Sequence, residues 1–152
     1  MYLAIERSTL SPPLRSPFSE ANEGNGSDRA RLRVLIVEDE ALLAMDMEFS
    51  LTQSGFDVVG IADTEREAVL LVDQQRPDLI LMDITLRDGD GLAVARAIAD
   101  RKAKIVFVSA SSDPATLAAA EALRPLGFIR KPYASHELPG ILKRMLNLDA
   151  AN

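Results

Sequence analysis

The chain has 152 residues, 47% of them hydrophobic, which suffices for one domain with its own core and argues against wholesale disorder or several domains. Its 23 acidic and 17 basic residues leave a net charge of −6, which disfavours sequence-independent binding to nucleic acid or anionic membranes. The absence of cysteine excludes disulfides, thiolate metal sites and cysteine nucleophiles, and no apolar run approaches the ~20 residues of a membrane span.

Composition changes near residue 31. Residues 1–31 are rich in Ser, Pro, Gly and Asn without periodicity, which predicts a flexible N-terminal tail. The alternative is a docking peptide, since the segment also holds apolar residues such as Tyr2, Ile5 and Phe18. We expect one folded domain over residues 32–148 and a short C-terminal tail at 149–152. The N-terminus lacks a basic region ahead of an apolar stretch and is a poor secretory signal, so a cytoplasmic location is expected.

Five short runs of mostly branched apolar residues predict five β-strands. They are nearly unbroken, which is typical of a parallel sheet covered on both faces. In chain order the runs occupy residues 32–37, 58–62, 79–82, 105–108 and 126–129.

Helical patterns lie between and after the strands. In the first helix apolar residues recur every four positions and others are predicted to flank the same buried stripe: Leu43, Met47 and Leu51, with Leu42, Met45 and Phe49 beside them. Gly55 is expected to follow its end in the left-handed conformation. Capping residues mark the next three helices: Thr64 with Glu67, Asp90, and Asp113 with Pro114. Pro77 is expected to stop the second helix, and the last one is expected to begin near Ser135.

The alternation of strands and helices predicts a doubly wound α/β fold, with a five-stranded parallel sheet and five helices. Right-handed crossovers would bring the carboxyl ends of all strands to one edge of the sheet, where ligands bind in such folds.

Polar residues follow four of the five runs. Glu38 and Asp39 follow the first, Asp83 the third and Ser109 the fourth, while Lys131 lies just past the fifth. In a parallel sheet these five side chains would converge in one crevice. Such a set is hard to attribute to solubility alone.

The chemistry of this set points to a cation and a phosphoryl group. Three converging carboxylates repel one another and require a cation, and an all-oxygen ligand set suits Mg²⁺ or Mn²⁺. Lys131 would add a positive charge and Ser109 a hydroxyl donor for a phosphoryl group carried by a carboxylate. Asp83 is the best candidate to carry it, because it stands between the acidic pair and the lysine.

Residues 32–148 resemble a response-regulator receiver domain of two-component signalling, a flavodoxin-like fold. Four motifs carry the resemblance in the family's order: VLIVEDE at 34–40, LILMDITLRDGDG at 79–91, VFVSAS at 106–111 and GFIRKPY at 127–133. One such motif would be weak, but four in order are a strong signal.

The resemblance implies roles for the acidic residues. Asp83 would be the phosphoacceptor, modified by a histidine kinase or a histidine phosphotransfer protein. With Asp83, Asp39 would ligate Mg²⁺ directly, Glu38 would act through a metal-bound water, and the backbone carbonyl of Thr85 would complete the protein ligands.

The resemblance also implies a switch. Ser109 would move toward the phosphoryl group, Lys131 would pair with that group, and Phe128 would move inward on activation. Pro132 would follow a cis peptide bond. The implied protein is a stand-alone, single-domain response regulator that catalyses only its own phosphorylation and dephosphorylation, and that dimerises or binds a partner through the region of the last strand and helix.

The sequence departs from the family's commonest pattern in two places. Leu86 and Arg87 stand where many members have Met-Pro, and position 128 is Phe rather than Tyr, so a hydroxyl-based readout there is absent. Thr85 and Ser111 occupy positions where the family tunes phosphate lifetime.

Three other functions fit the sequence less well. A Mg²⁺-dependent phosphatase with an aspartyl-phosphate usually has a second acid where this chain has Thr85. A receiver-like module that is never phosphorylated would not need the full set of site residues. A DNA-binding regulator would need a basic output domain, and nothing basic follows Leu148. Residues 88–91 do not match the spacing of a calcium loop, and His136 is expected on the surface.

Overall fold

The computed structural model describes residues 31–148, so residues 1–30 of the N-terminal tail predicted at 1–31, and the whole predicted C-terminal tail at 149–152, lie outside the described residues. Ten main elements alternate along the chain: β1 Arg33–Val37, α1 Ala41–Gln53, β2 Asp57–Ala62, α2 Glu65–Gln75, β3 Leu79–Asp83, α3 Gly91–Ala97, β4 Lys104–Ser109, α4 Pro114–Ala122, β5 Gly127–Arg130 and α5 Leu138–Met145. A short antiparallel ladder pairs Thr85–Leu86 with Gly89–Asp90, and a 3₁₀ turn spans Ser135–Glu137.

The five main strands form one parallel sheet in the order β2-β1-β3-β4-β5. The predicted doubly wound α/β fold is therefore confirmed. The chain passes from β1 outward to β2 and then crosses back to β3 on the other side of β1. The strand order reverses there, and this opens a crevice at the carboxyl ends of β1 and β3.

Both faces of the sheet are covered, which explains the unbroken apolar runs. Along β1, Leu35 and Val37 face the layer formed by α2, α3 and Ala120 of α4. Val34 and Ile36 face the opposite layer, formed by α1 and α5. Since successive strand residues point to opposite faces, the central strands β1 and β3 carry consecutive apolar residues that fill both layers.

The first helix corrects one prediction. Met47 and Leu51 are buried as expected, but three residues assigned to the same stripe are exposed: Leu42 at 83%, Met45 at 56% and Phe49 at 47%. A helix turns by about 100° per residue, which puts these three roughly 140–160° away from Met47. They form a second, outward-facing apolar stripe, so the prediction that Met45 belongs to the core was wrong.

Most predicted helix boundaries are confirmed. Asp90 Oδ1 accepts a hydrogen bond from the Leu92 amide at 2.8 Å, and Asp113 Oδ2 accepts one from the Thr116 amide at 2.9 Å. Gly55 has a φ of 92° and lies in the left-handed region. The last helix differs, because the 3₁₀ turn Ser135–Glu137 occupies its predicted first turn and α5 follows it.

The N-cap of α2 offers a test of this local chemistry. Thr64 Oγ1 accepts a hydrogen bond from the Glu67 amide at 3.1 Å, while the Glu67 carboxylate bonds the amide of Asp63 at 3.3 Å. We expect Thr64→Ala to lower the free energy of unfolding by about 1 kcal/mol, because it leaves the Glu67 amide without its acceptor. Urea denaturation measures this. Thr64→Ser keeps the hydroxyl and should lose less than half as much, whereas equal losses would contradict the cap.

Within residues 31–148, every helix is too short or too polar to span a membrane.

Candidate functional site

The polar residues predicted to converge do so at the carboxyl edge of the sheet. Among the described residues, the buried polar or charged side chains are three: Glu38, Asp83 and Ser109, exposed by 2%, 6% and 7%. All three belong to the predicted site. Glu38 follows β1, while Asp83 and Ser109 end β3 and β4, the two strands on the other side of the crevice.

Three carboxylates form a cluster in this crevice. Glu38, Asp39 and Asp83 each place one carboxylate oxygen within 4.8 Å of the others. Like charges at this separation repel, so the arrangement requires positive charge or hydrogen-bond donors nearby.

Backbone amides supply part of that compensation. Glu38 Oε1 accepts from the Glu40 amide at 3.1 Å, and Asp83 Oδ1 accepts from the Thr85 amide at 3.0 Å. Asp39 Oδ2 accepts from the amide of Arg87 at 2.5 Å. Each carboxylate is therefore oriented by a main-chain donor.

Lys131 supplies the charge. Its Nζ lies 2.9 Å from Glu38 Oε2 and 2.9 Å from Asp83 Oδ2, with 16% of the side chain exposed. Burial by itself would lower the pKa of Lys131, but the hydrogen bonds and charges of the two carboxylates outweigh it and raise that pKa above its usual value. Burial likewise raises the pKa of Glu38, against the lowering effect of Lys131. The lysine therefore stays charged at neutral pH.

The strands position Lys131 and Ser109 side by side. The Lys131 amide donates to the Ser109 carbonyl at 3.0 Å, which continues the pairing of β4 with β5. Ser109 Oγ accepts from the Ser111 amide at 3.0 Å. The bond between Lys131 and Pro132 is cis, as predicted.

Two further predicted residues lie around this centre. Phe128 is 41% exposed, and its ring centroid lies 5.8 Å from that of the buried Phe107 on β4. Its inward movement stays a prediction. Thr85 is exposed, and its amide binds Asp83, so the metal role of its carbonyl also stays a prediction.

Sequence reasoning missed the tight packing behind Asp83. A Cβ on Gly91 would lie 2.0 Å from the Asp83 carbonyl oxygen and 3.0 Å from the Cα of Ile84. The Gly91 amide donates to the Ile84 carbonyl at 2.8 Å. Glycine is a poor helix former, so its place as the first residue of α3 was the signal that a close backbone approach required it.

The cluster fits a hard divalent cation. The oxygen ligands available from three carboxylates are those that Mg²⁺ and Mn²⁺ prefer, and the donors include no thiol or imidazole. Two of the carboxylates already accept hydrogen bonds from the ammonium of Lys131, so positive charge is accommodated at this site.

Comparison with known proteins gives related sequences of bacterial regulators. The Transcriptional regulatory protein PdtaR of Mycobacterium tuberculosis is 36% identical over 107 residues, which are 70% of this chain and 52% of that protein. The Chemotaxis protein CheY of Bacillus subtilis is 32% identical over 117 residues, or 76% of this chain and 98% of CheY. The chain thus spans about half the length of PdtaR, at 52%, but nearly the whole of CheY, at 98%.

Solved structures and a family description agree with these relatives. The signal receiver domain of a modulated diguanylate cyclase from Desulfovibrio desulfuricans G20 superimposes with a TM-score of 0.69 at 35% identity, covering 78% of this chain and 93% of that one. The family description "Response regulator receiver domain" matches residues 34–143. Since that span runs from β1 into α5 and takes in the whole crevice, the chain belongs to the response-regulator receiver family of two-component systems.

Proposed function

We propose that this protein accepts a phosphoryl group on Asp83 from a histidine kinase or a histidine phosphotransfer protein, in a Mg²⁺-dependent reaction in the cytoplasm, and then switches a partner protein or relays the group to it. One observation carries the proposal: Lys131 Nζ bonds Asp83 and Glu38 within a three-carboxylate cluster. This places a fixed ammonium beside the carboxylate that would react.

The reaction would be a displacement at phosphorus. An Asp83 carboxylate oxygen attacks, the phosphorus–nitrogen bond of the phosphohistidine breaks, and the imidazole leaves with the electron pair. Lys131 and the Ser109 hydroxyl would then bind oxygens of the phosphoryl group. Glu38, Asp39, Asp83 and the carbonyl of Thr85 would hold Mg²⁺ or Mn²⁺, which when bound neutralises negative charge on the phosphoryl oxygens.

The signal would leave the site through β4 and β5. Phosphorylation would replace the carboxylate of Asp83 by a larger group with about one more negative charge and three acceptor oxygens, which would draw Ser109 toward it. Phe107 pairs with Phe128 across these strands, and their rings are in contact distance. In the proposed switch, movement of Ser109 would be accompanied by an inward turn of Phe128. This would alter the face formed by β5 and α5, where we place the partner or a second copy.

The phosphoacceptor assignment is tested by intact-mass spectrometry after incubation with acetyl phosphate and Mg²⁺. We expect a labile adduct of about 80 Da, since one phosphoryl group replaces one proton. Asp83→Asn should abolish it, because an amide cannot form the acyl phosphate. Asp88→Asn, an exposed position on the same loop, is the matched control and should keep the adduct.

Other outcomes would favour other functions. An adduct that survives Asp83→Asn would reject this residue as the acceptor. Sustained release of phosphate from a generic phosphate ester would support the phosphatase alternative. Partner capture that is the same with and without beryllofluoride would support a module whose signal is independent of phosphorylation.

A further inference from the structure

Three carboxylates hold the loop after β3 by its backbone amides. Two of them are in the crevice: Asp83 binds the amide of Thr85, and Asp39 binds that of Arg87. The third is Glu65, the first residue of α2, whose Oε1 accepts from the amide of Asp90 at 2.5 Å. Glu65 lies outside the cluster and had no role in the sequence-based prediction.

Glu65 is also fitted against Gly89. A Cβ built on Gly89 would lie 2.4 Å from Glu65 Cγ, 2.5 Å from Oε1 and 2.6 Å from Cδ. The Glu65 side chain therefore occupies the space that a side chain at position 89 would take. The contact with Gly89 and the hydrogen bond from the Asp90 amide are two separate observations. Both place the Glu65 carboxylate against the strand Gly89–Asp90.

That strand carries the effect of Glu65 into the crevice. Asp90 pairs with Thr85, and Gly89 pairs with Leu86, in the short antiparallel ladder. Arg87 follows the first strand of the ladder, and its amide bonds Asp39 Oδ2. If Glu65 holds Gly89–Asp90 in place, the ladder also holds the turn whose Arg87 amide orients the Asp39 carboxylate.

We propose that Glu65 is a positioning residue for the cation site: by anchoring Gly89–Asp90 it holds the Arg87 amide where it orients Asp39 toward Glu38 and Asp83. This deepens the proposed function, of which cation binding is one part. Groups that orient metal ligands typically change metal affinity by about 10- to 100-fold when they are removed.

Glu65 could instead matter only because its charge stabilises α2, and three variants distinguish that role from the positioning of the cation site. Its carboxylate lies in the first turn of α2, where a negative charge stabilises a helix. Glu65→Gln removes that charge but keeps the side-chain oxygen that accepts from Asp90. Glu65→Ala removes both. Gly89→Ala leaves the charge intact but displaces the side chain, because its new Cβ takes the space of Glu65.

The test is Mn²⁺ binding by the full chain, followed by the loss of the free-ion signal in electron paramagnetic resonance. We expect Glu65→Ala and Gly89→Ala each to weaken Mn²⁺ affinity by about tenfold. Glu65→Gln should stay within about twofold of the unmodified protein. Arg66→Ala, the exposed neighbouring residue, is the matched control and should have no effect. Urea denaturation of every variant checks that it is folded.

A second readout separates binding from chemistry. For Glu65→Ala, the Mg²⁺ concentration that gives half the maximal rate of Asp83 phosphorylation should rise, while the rate at saturating Mg²⁺ stays unchanged. The proposal is overturned if Glu65→Ala binds Mn²⁺ like the unmodified protein, or if Glu65→Gln loses as much affinity as Glu65→Ala. If Mn²⁺ binds as expected but no adduct forms on Asp83, the proposed phosphoacceptor function fails and the role of Glu65 stands.

Discussion

Gly91→Ala is expected to lower the free energy of unfolding by about 3 kcal/mol, because the added methyl group meets backbone rather than a flexible side chain. Its Cβ would lie 2.0 Å from the carbonyl oxygen of Asp83, at the end of a strand whose five residues are all buried. Moving β3 and the first turn of α3 apart would lengthen the hydrogen bond between the Gly91 amide and the Ile84 carbonyl. Urea denaturation, followed by circular dichroism, measures the loss.

The same substitution should also impair phosphorylation in the fraction that stays folded. Moving the Asp83 backbone shifts its carboxylate relative to Lys131 Nζ, now 2.9 Å away, so the yield of the acetyl phosphate adduct should fall well below that of the unmodified protein. Gly140→Ala is the matched control. In α5 the nearest atom to its new Cβ is Arg144 Nη1 at 3.7 Å, so this variant should be stabilised by roughly 0.5–1 kcal/mol. Equal stabilities for the two variants would contradict the close packing at Gly91.

Lys131→Met is expected to have the largest effect on the site itself. Without Nζ, the buried carboxylates of Glu38 and Asp83 face each other with only backbone donors left, and breaking such a pair costs about 3 kcal/mol at pH 7. Because the pKa of Lys131 is raised in the folded protein, its contribution is fully present below the unfolded pKa and disappears only in strong alkali. Urea denaturation at pH 7 without divalent cations therefore measures the whole loss.

The loss should depend on pH and on the cation. The pKa of Glu38 is already raised by burial, and without Lys131 it should rise further. Protonation on acidification then relieves the repulsion, so the deficit of the variant should shrink below neutral pH. Added Mg²⁺ should stabilise the variant more than the unmodified protein, because no ammonium competes for Glu38 and Asp83. A variant whose stability is insensitive to both changes would contradict the ion pair.

Phosphorylation should fall as well. Removing one charged donor to an anionic transition state typically costs about 100-fold in rate, which acetyl phosphate labelling over time can measure. Lys102→Met is the matched control, because Lys102 is exposed beyond α3 and remote from the crevice. It should change neither stability nor labelling.

The parts of this protein that could be predicted from sequence are those set by local rules or by strand ends. Asp90 and Asp113 were identified as helix caps because a cap bonds an amide two or three residues away. The residues of the crevice were identified because a parallel sheet brings Asp83, Ser109 and Lys131 to one edge wherever the strands end.

Contacts that depend on tertiary packing could not be predicted. Glu65 and Asp90 are 25 residues apart, and nothing in their local sequence links α2 to the loop after β3. The Arg87 amide that binds Asp39 belongs to the backbone, which leaves no signature in residue type. The outward stripe of α1 is a different case, because helix geometry alone places Met45 and Met47 on opposite sides, and burial shows only that the side of Met47 faces the sheet.

Lys131 places a positive charge beside the carboxylates of Glu38 and Asp83 before any other cation binds. The domain carries its own counterion, covalently attached just past β5, so part of the negative charge of the crevice is balanced whatever the ionic composition of the surrounding medium. If the crevice takes up a phosphoryl group as proposed, the Lys131 ammonium would give up carboxylate contacts and gain contacts with phosphoryl oxygens. The resting site and the loaded site would then differ in which anions the Lys131 ammonium contacts.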